Sequence, residues 1–447
     1  MTTPVLHAST HKGYPAWAPP LPAVAVGQQG WHLMQPDWPL PCAVLKASAL
    51  QHNLAWMQQL VAQAGVELAP HGKTTLSPEL FRAQLAAGAW GITVASIGQL
   101  ALAAESGAAR AVIANQVLLT HDLEWLTRLL VQYPGLQAPF LIDSLQQLQA
   151  IERFAAQHPC TPQGFDVLLE LGLSGGRTGC RDDAEALELA RAVRASTAVR
   201  LVGLECYEGL WATGDTQADT ALVETLLRRV HELAARCDAE NLFQGSEILL
   251  TAGGSAVFDL VATALRGAAD QPLILSRPVR GLLRSGCYLT HDHGTYKRLG
   301  TLVNQRLAQH GLNGRPWGCG SGLEAALQIW AAVQSCPESG LAILNAGKRD
   351  LSYDMGLPTP IAWCPATATE AADVSPVPAH WRITALNDQH AYLSTMPVEG
   401  MAGGAQLQVG DRVVLGISHP CTTFDKWRWM PLVNDGLQVT GAITTRF

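Results

Sequence analysis

Two short segments, far apart in a 447-residue chain, carry residue types that could do chemistry together. Pro70-His71-Gly72-Lys73-Thr74 puts an imidazole and a primary amine directly after a strand-like run. His419-Pro420-Cys421-Thr422-Thr423 puts an imidazole and a thiol two residues apart. On an extended chain, residues i and i+2 face one way, so His419 and Cys421 are expected to point to one side. Imidazole nitrogen and thiolate sulfur suit zinc, with positions left for water or substrate. A lysine packed in a partly dry mouth favours its neutral form, the form that joins an aldehyde as a Schiff base. Taken singly, Lys73 also reads as a surface lysine opening a loop. His419 and Cys421 also read as a histidine beside a buried thiol. Brought together, the two segments would supply an amine nucleophile, a base and a soft metal-ligand pair.

Other residues extend the set. In Thr251-Ala252-Gly253-Gly254-Ser255, two glycines let backbone amides approach a phosphate, and a following helix would add a positive dipole end. An ordinary glycine-rich turn fits the same letters. Arg177 follows one strand-like run, Tyr207 ends another, and Arg284 and Tyr288 flank a third. Such side chains could meet a planar ring, its phenolic oxygen or a carboxylate, or could simply form an ion pair or a cap. His291 and His293, a second i, i+2 pair, offer a competing metal site.

The elements that must position these residues form an alternating pattern. Strand-like runs at 66–69, 91–95, 110–114, 138–142, 165–171, 200–206, 247–251 and 281–284 are separated mostly by helical stretches, with 271–276 competing for the last place. Eight strands alternating with helices predict an α/β fold, a closed (β/α)8 TIM-like barrel, rather than an open sheet. The dinucleotide pattern GxGxxG that an open sheet would carry is absent. In a barrel, Lys73 sits at the C-terminal end of the first strand, on the active-site face, and Gly253-Gly254 sits late in the order, where phosphate sites are common. After about residue 300 a helix is expected at 321–334. Short strands follow at 341–345, 380–386, 391–394, 405–408, 411–415 and 438–445, a second, mostly β C-terminal domain. The division expected is an N-terminal segment, 1–42, packing on the β domain, the barrel at 43–298 and the β domain at 299–447.

Composition narrows the class. The chain is 48% hydrophobic and 15% charged with net charge -7, which counts against a non-specific nucleic-acid binder. No apolar run reaches membrane-spanning length and no signal peptide is read, so a cytoplasmic protein is expected. The ten cysteines are scattered without a CxxC pair and read as reduced thiols.

Taken in order, the segments resemble the D-serine dehydratase and D-threonine aldolase family, grouped with the alanine racemase-type (fold type III) pyridoxal-phosphate enzymes. The resemblance spans about residues 40–447. Besides the two opening segments it rests on Gly91-Ile92-Thr93-Val94-Ala95, Gly175-Gly176-Arg177-Thr178-Gly179, Cys206-Tyr207-Glu208-Gly209 and Ala252-Gly253-Gly254-Ser255. It continues in Arg284-Ser285-Gly286-Cys287-Tyr288, Asn345-Ala346-Gly347-Lys348 and Asp354-Met355-Gly356. The resemblance implies that Lys73 carries pyridoxal 5'-phosphate, that Gly253, Gly254 and Ser255 cradle its phosphate, and that Arg177, Tyr207 and Tyr288 line it. His419 and Cys421 match the metal pair of the dehydratase branch, implying Zn2+, with Mn2+ or Mg2+ as alternatives. In the aldolase branch the second ligand is usually an aspartate. A homodimer acting on a small amino acid is implied. The main expectation is a D-3-hydroxy amino acid dehydratase giving a 2-keto acid and ammonia, with Lys73 as base at the α-carbon and the metal on the β-hydroxyl. The alternatives are D-threonine aldolase-like cleavage to glycine and an aldehyde, with His71 or a water as base, and a non-catalytic carrier of the cofactor.

Overall fold

The structure is a computed structural model that describes residues 4–158, 164–268, 271–318, 320–396 and 406–447. Cys160 and Cys319 lie outside the described residues, as does residue 405 of the strand expected at 405–408; residues 406–408 carry no strand.

Eight strands build the barrel: β1 (Glu67–Leu68), β2 (Ile92–Val94), β3 (Ala111–Gln116), β4 (Phe140–Ile142), β5 (Phe165–Leu171), β6 (Val199–Cys206), β7 (Ile248–Ala252) and β8 (Val279–Leu283). Every pairing between them is parallel, and the hydrogen-bonded order runs β1-β8-β7-β6-β5-β4-β3-β2. The two ends meet where Trp90 N–H donates to Leu68 O at 2.8 Å and Thr93 N–H to Pro70 O at 2.9 Å, closing the sheet just below Lys73. Residues 271–272 pair only with 267–268, so the eighth place belongs to β8.

Parallel strands buried on both faces read as continuous apolar runs. Ala69, Val112, Leu141, Leu168, Leu249 and Leu282 pack inside the barrel with Trp90 and Val202, while Leu169, Leu204, Leu250 and Leu283 face the surrounding helices. Where a strand hands over to a helix, a polar residue caps the turn. Ser77, Ser96 and Ser144 each accept a backbone N–H three residues on, and Asp182 and Asp215 do the same for later helices. Each such cap stabilises its helix by about 1 kcal/mol and fixes where the preceding loop ends.

The second sheet is mixed and mostly antiparallel. Its long central strand, Leu327–Glu338, corrects the expected helix at 321–334. Leu327, Ile329, Ala331 and Val333 face one core while Trp330 faces another. Burial on both sides makes the run apolar throughout, so helical and strand readings compete in the letters. Cys42–Lys46 pairs with this strand, although a barrel starting at residue 43 would take it into the first unit. At the other end, helix Thr295–His310 is bound to the barrel through Arg306, whose guanidinium makes two hydrogen bonds, 2.7 and 2.8 Å, to buried Asp259. The N-terminal segment lies on the second sheet: Tyr14 packs edge-on against Trp31 and Trp429, and Lys12 bonds Asp350 at 2.7 Å.

The Arg306–Asp259 pair generates a test of how the last helix is held. Arg306→Leu leaves a buried carboxylate without its cation, a loss worth about 3–5 kcal/mol. Urea unfolding should show that drop, whereas Asp259→Asn combined with Arg306→Leu should recover part of it.

Candidate functional site

The floor of the barrel mouth is charged, in a barrel otherwise filled with apolar side chains. Arg284, just past β8, and Glu205, near the end of β6, are both at least 95% buried and form an ion pair. Arg284 Nη1 also donates to Thr251 Oγ1 at 2.9 Å and Nη2 to the Cys206 carbonyl at 3.1 Å. Burial pushes the Glu205 carboxyl up to about 8, against the pull of Arg284, and its Oε2 has no partner among the described residues. Beside it Glu170, on β5, accepts from Thr178 Oγ1 at 2.7 Å and Gln116 Nε2 at 2.5 Å.

Lys73 stands on the rim above this floor, in the 3-10 turn Gly72–Thr74. Gly72 is required there: a Cβ would stand 2.5 Å from the Phe81 ring. Although the Lys73 side chain remains accessible, loss of water inside the mouth is the first cause lowering its pKa. Cys421 and Cys287 pull it back up, and Arg177 and Arg284 push it down again. The net direction favours the neutral amine. His71 Nδ1 accepts the Lys73 backbone N–H at 3.4 Å. Burial, then Lys73, Arg284 and Arg177, hold the His71 ring well below its ordinary pKa, while a bond to the Thr93 backbone opposes them. A neutral imidazole with both sides engaged orients the lysine turn.

Opposite Lys73, Gly253 (φ +94°) and Gly254 turn their N–H groups to one point. Both are taken by the Glu208 carboxylate, at 3.1 Å from Gly253 N and 2.6 Å from Gly254 N. The turn therefore does bind an anion, and here the anion is the chain's own. The helix after it, Phe258–Ala264, is short and begins three residues past Ser255, so converging amides rather than a helix end make this site. Ser255 Oγ accepts the Cys287 N–H at 3.3 Å, and Arg177 lies 5.3 Å from the centre of the Tyr207 ring, a cation–π contact at the rim.

The C-terminal segment comes down over the same rim. Cys421 Sγ lies 3.4 Å from Thr74 Oγ1 and 3.6 Å from Cys287 Sγ. Hydrogen bonding from Cys287 lowers the Cys421 pKa well below the ordinary thiol value; burial opposes it, and His419 and Thr74 assist. His419 is pushed up to about 9: burial resists, but Cys421 and Asp354 outweigh it. Asp354 Oδ2 accepts from His419 Nδ1 at 2.6 Å, and Asp354 Oδ1 from Thr422 Oγ1 at 2.6 Å. The pair is not on a strand, as the i, i+2 reading assumed. Strand Arg412–Gly416 has ended, Pro420 adopts helical angles, and Cys421 opens the short helix Cys421–Phe424. The two side chains meet because the chain turns.

Not every expected residue joins the mouth. Tyr288 is 1% exposed in the hydrophobic core, with its hydroxyl bonded to Gln84 Nε2 at 3.3 Å. His291 is buried and His293 half-buried, and each is lowered to about 4, first by loss of water. His291 has φ +47°, which breaks the extended geometry that would align the pair. Among the described residues no group of three or more His, Cys, Asp or Glu side chains is arranged to hold a metal. Role-by-role reading of the sequence missed Glu205, Glu208, Cys287 and Asp354. A signal was present for Glu205 and Glu170, each a lone charge near the C-terminal end of an apolar strand.

Comparison with known proteins gives two family matches: "Alanine racemase, N-terminal domain" over residues 45–266 and "Putative serine dehydratase domain" over residues 326–433. The chain is 26% identical over 409 residues to a D-threonine aldolase of Arthrobacter sp., covering 90% of this chain and 92% of that one. Among solved structures, it resembles a D-threonine aldolase from Filomicrobium marinum with a TM-score of 0.71 and 21% identity, over 93% and 97% of the two chains. It also resembles a D-threo-3-hydroxyaspartate dehydratase from Delftia sp. with a TM-score of 0.68 and 23% identity, over 93% and 99%. Other similar solved structures of D-threo-3-hydroxyaspartate dehydratase are a histidine-to-alanine variant and a cysteine-to-alanine variant in the metal-free form, the substituted positions numbered two apart.

The glycine turn yields a stability test. At Gly253 a Cβ would stand 2.8 Å from Leu283 Cδ2 on a backbone with positive φ. Gly253→Ala should therefore lower stability by about 1–3 kcal/mol, read by thermal or urea unfolding. Gly135, with φ +91° and open space around it, is the control for strain without the clash.

Proposed function

We propose that this chain, which belongs to the alanine racemase-like (fold type III) pyridoxal-phosphate enzymes in their D-serine dehydratase and D-threonine aldolase branch, is a metal-assisted lyase for D-3-hydroxy amino acids that cleaves the Cα–Cβ bond to give glycine and an aldehyde. Pyridoxal-phosphate-dependent enzymatic activity follows from the family, and the branch acts on D-hydroxy amino acids as dehydratase or aldolase. The observation that carries the reading is the meeting of Lys73 with Cys421 and His419 at one barrel mouth. The choice of cleavage over dehydration is supported by the aldolases among the relatives. One specific observation favours dehydration as the second reading: His419 and Cys421 have the spacing of the histidine and cysteine substituted in the D-threo-3-hydroxyaspartate dehydratase variants.

The residues present fit the cofactor. An amine whose pKa is lowered by burial, a nest already holding an anion, and an arginine over an aromatic ring are three features that suit a pyridine aldehyde phosphate. When bound, pyridoxal phosphate supplies an aldehyde for a primary amine and a ring that takes up the electron pair of a bond broken at Cα. Lys73 would hold it, and Gly253, Gly254 and Ser255 would meet its phosphate. The donor set also fits a zinc ion on His419 and Cys421, with Asp354 fixing the imidazole from behind. Such an ion would act as a Lewis acid on the β-oxygen, with open positions because only two protein donors are at hand.

The chain's own groups divide the work. Lys73 Nζ, whose pKa is lowered first by burial, takes or returns the proton at Cα. His71 is a positioning residue, because its ring is committed to the Lys73 and Thr93 backbones. Arg284 keeps one buried cation on the floor, and Glu205 fixes it. The Cys421–Phe424 helix packs on Thr74, next to Lys73. By resemblance, two such chains would act as a homodimer.

Two outcomes are expected. Purified protein supplied with D-threonine should release glycine and acetaldehyde in equal amounts, while Lys73→Ala should lose the yellow cofactor colour and the activity. Release of 2-oxobutyrate and ammonia instead would move the assignment to the second reading. Asp354→Asn should weaken zinc retention in equilibrium dialysis about 10–100-fold, with the fold intact by circular dichroism.

A further inference from the structure

We infer that Glu208 is a built-in occupant of the Gly253-Gly254 anion site, and that the cofactor phosphate must displace it to bind. The inference rests on the pyridoxal-phosphate reading above and adds a competitor within the chain. Each carboxylate oxygen of Glu208 accepts one N–H of the turn, at 3.1 and 2.6 Å. The side chain is 1% exposed, and among the described residues no lysine, arginine or histidine forms a salt bridge with it. A buried carboxylate without a cation is costly, and here converging backbone dipoles offset that cost. The same two N–H groups are those a phosphate would need. Carboxylate and phosphate both only accept hydrogen bonds, so they cannot share them.

The surroundings permit an exchange. Glu208 follows the end of β6 and opens a tight turn, where Trp211 N–H donates to the Glu208 carbonyl at 3.0 Å. That bond holds the backbone and leaves the side chain to rotate. Gly254 keeps the approach open, since a Cβ there would stand 3.0 Å from the Tyr207 ring and 3.4 Å from Glu208 Oε1. Next to the turn, Ser255 Oγ and the Cys287 N–H already bond one another at 3.3 Å, which places two more polar groups beside an incoming anion. With Glu208 in the nest, the protein without cofactor keeps a satisfied, closed turn. With Glu208 displaced, the turn is free for a dianion.

The test uses full-length protein freed of cofactor, in wild-type, Glu208→Gln and Glu208→Ala forms, each checked for folding by circular dichroism. Each is titrated with pyridoxal phosphate, read by absorbance and tryptophan fluorescence, and separately with inorganic phosphate, read by fluorescence. Hydrogen bonds to a charged acceptor are worth roughly tenfold each in an equilibrium, so both variants should bind pyridoxal phosphate at least about tenfold more tightly than wild type. They should also bind inorganic phosphate more tightly. Equal or weaker binding of both anions by the folded variants overturns the inference and makes Glu208 a fixed support of the turn. Tighter phosphate binding with no uptake of pyridoxal phosphate by any form would keep the inference while removing the cofactor reading.

Discussion

The contact of Cys421 with Thr74 and Cys287 joins everything else. It spans 347 residues of chain at 3.4 Å on one side and reaches the end of the eighth strand at 3.6 Å on the other. The barrel alone would present Lys73 to open water, where an amine stays charged and unreactive. The second sheet alone would leave a histidine and a thiol in a surface turn. Sulfur packed on the lysine turn sets the lysine against a thiolate whose charge limits how far its pKa can fall. Strand pairings, capped helices and the Arg306–Asp259 pair all serve to hold those two chain segments in register.

Much of the barrel was legible in the letters. The runs 165–171 and 200–206 correspond to β5 and β6 nearly residue for residue, because strands buried on both faces have few polar letters inside them. Gly72 and Gly253 marked turns where a side chain would not fit. What failed was local chemistry decided by distant packing. Residues 327–334 look helical because Ala, Leu and Trp suit both states, and only the strands on either side choose. His419 and Cys421 converge through a proline turn, not through strand alternation. His291 and His293 have the same spacing but not the extended backbone that would align them, since His291 itself is left-handed. Spacing proposes a pair; backbone angles decide it.

Two kinds of charge organise the mouth. The floor carries Arg284 held by Glu205, a buried pair that keeps a cation in place without solvent. Such pairs contribute little net stability, and their worth lies in geometry. The rim carries groups that can exchange partners: the Glu208 carboxylate in its amide nest and the Cys421 thiolate among Cys287, Thr74 and His419. A rigid ion pair under an exchangeable anionic rim suits a site that must accept a phosphate and an amino acid in turn. Asp354 extends the pattern outward, since it fixes one nitrogen of His419.

The central claim is that Lys73 and the His419–Cys421 pair act on one substrate through two different groups. Removing the metal while keeping the cofactor separates them. The protein is dialysed against a chelator, its yellow absorbance is recorded, and turnover of D-threonine is measured before and after zinc is restored. The account predicts that the colour survives chelation, that turnover is lost, and that zinc brings it back. Full turnover by the chelated, metal-free protein would contradict it.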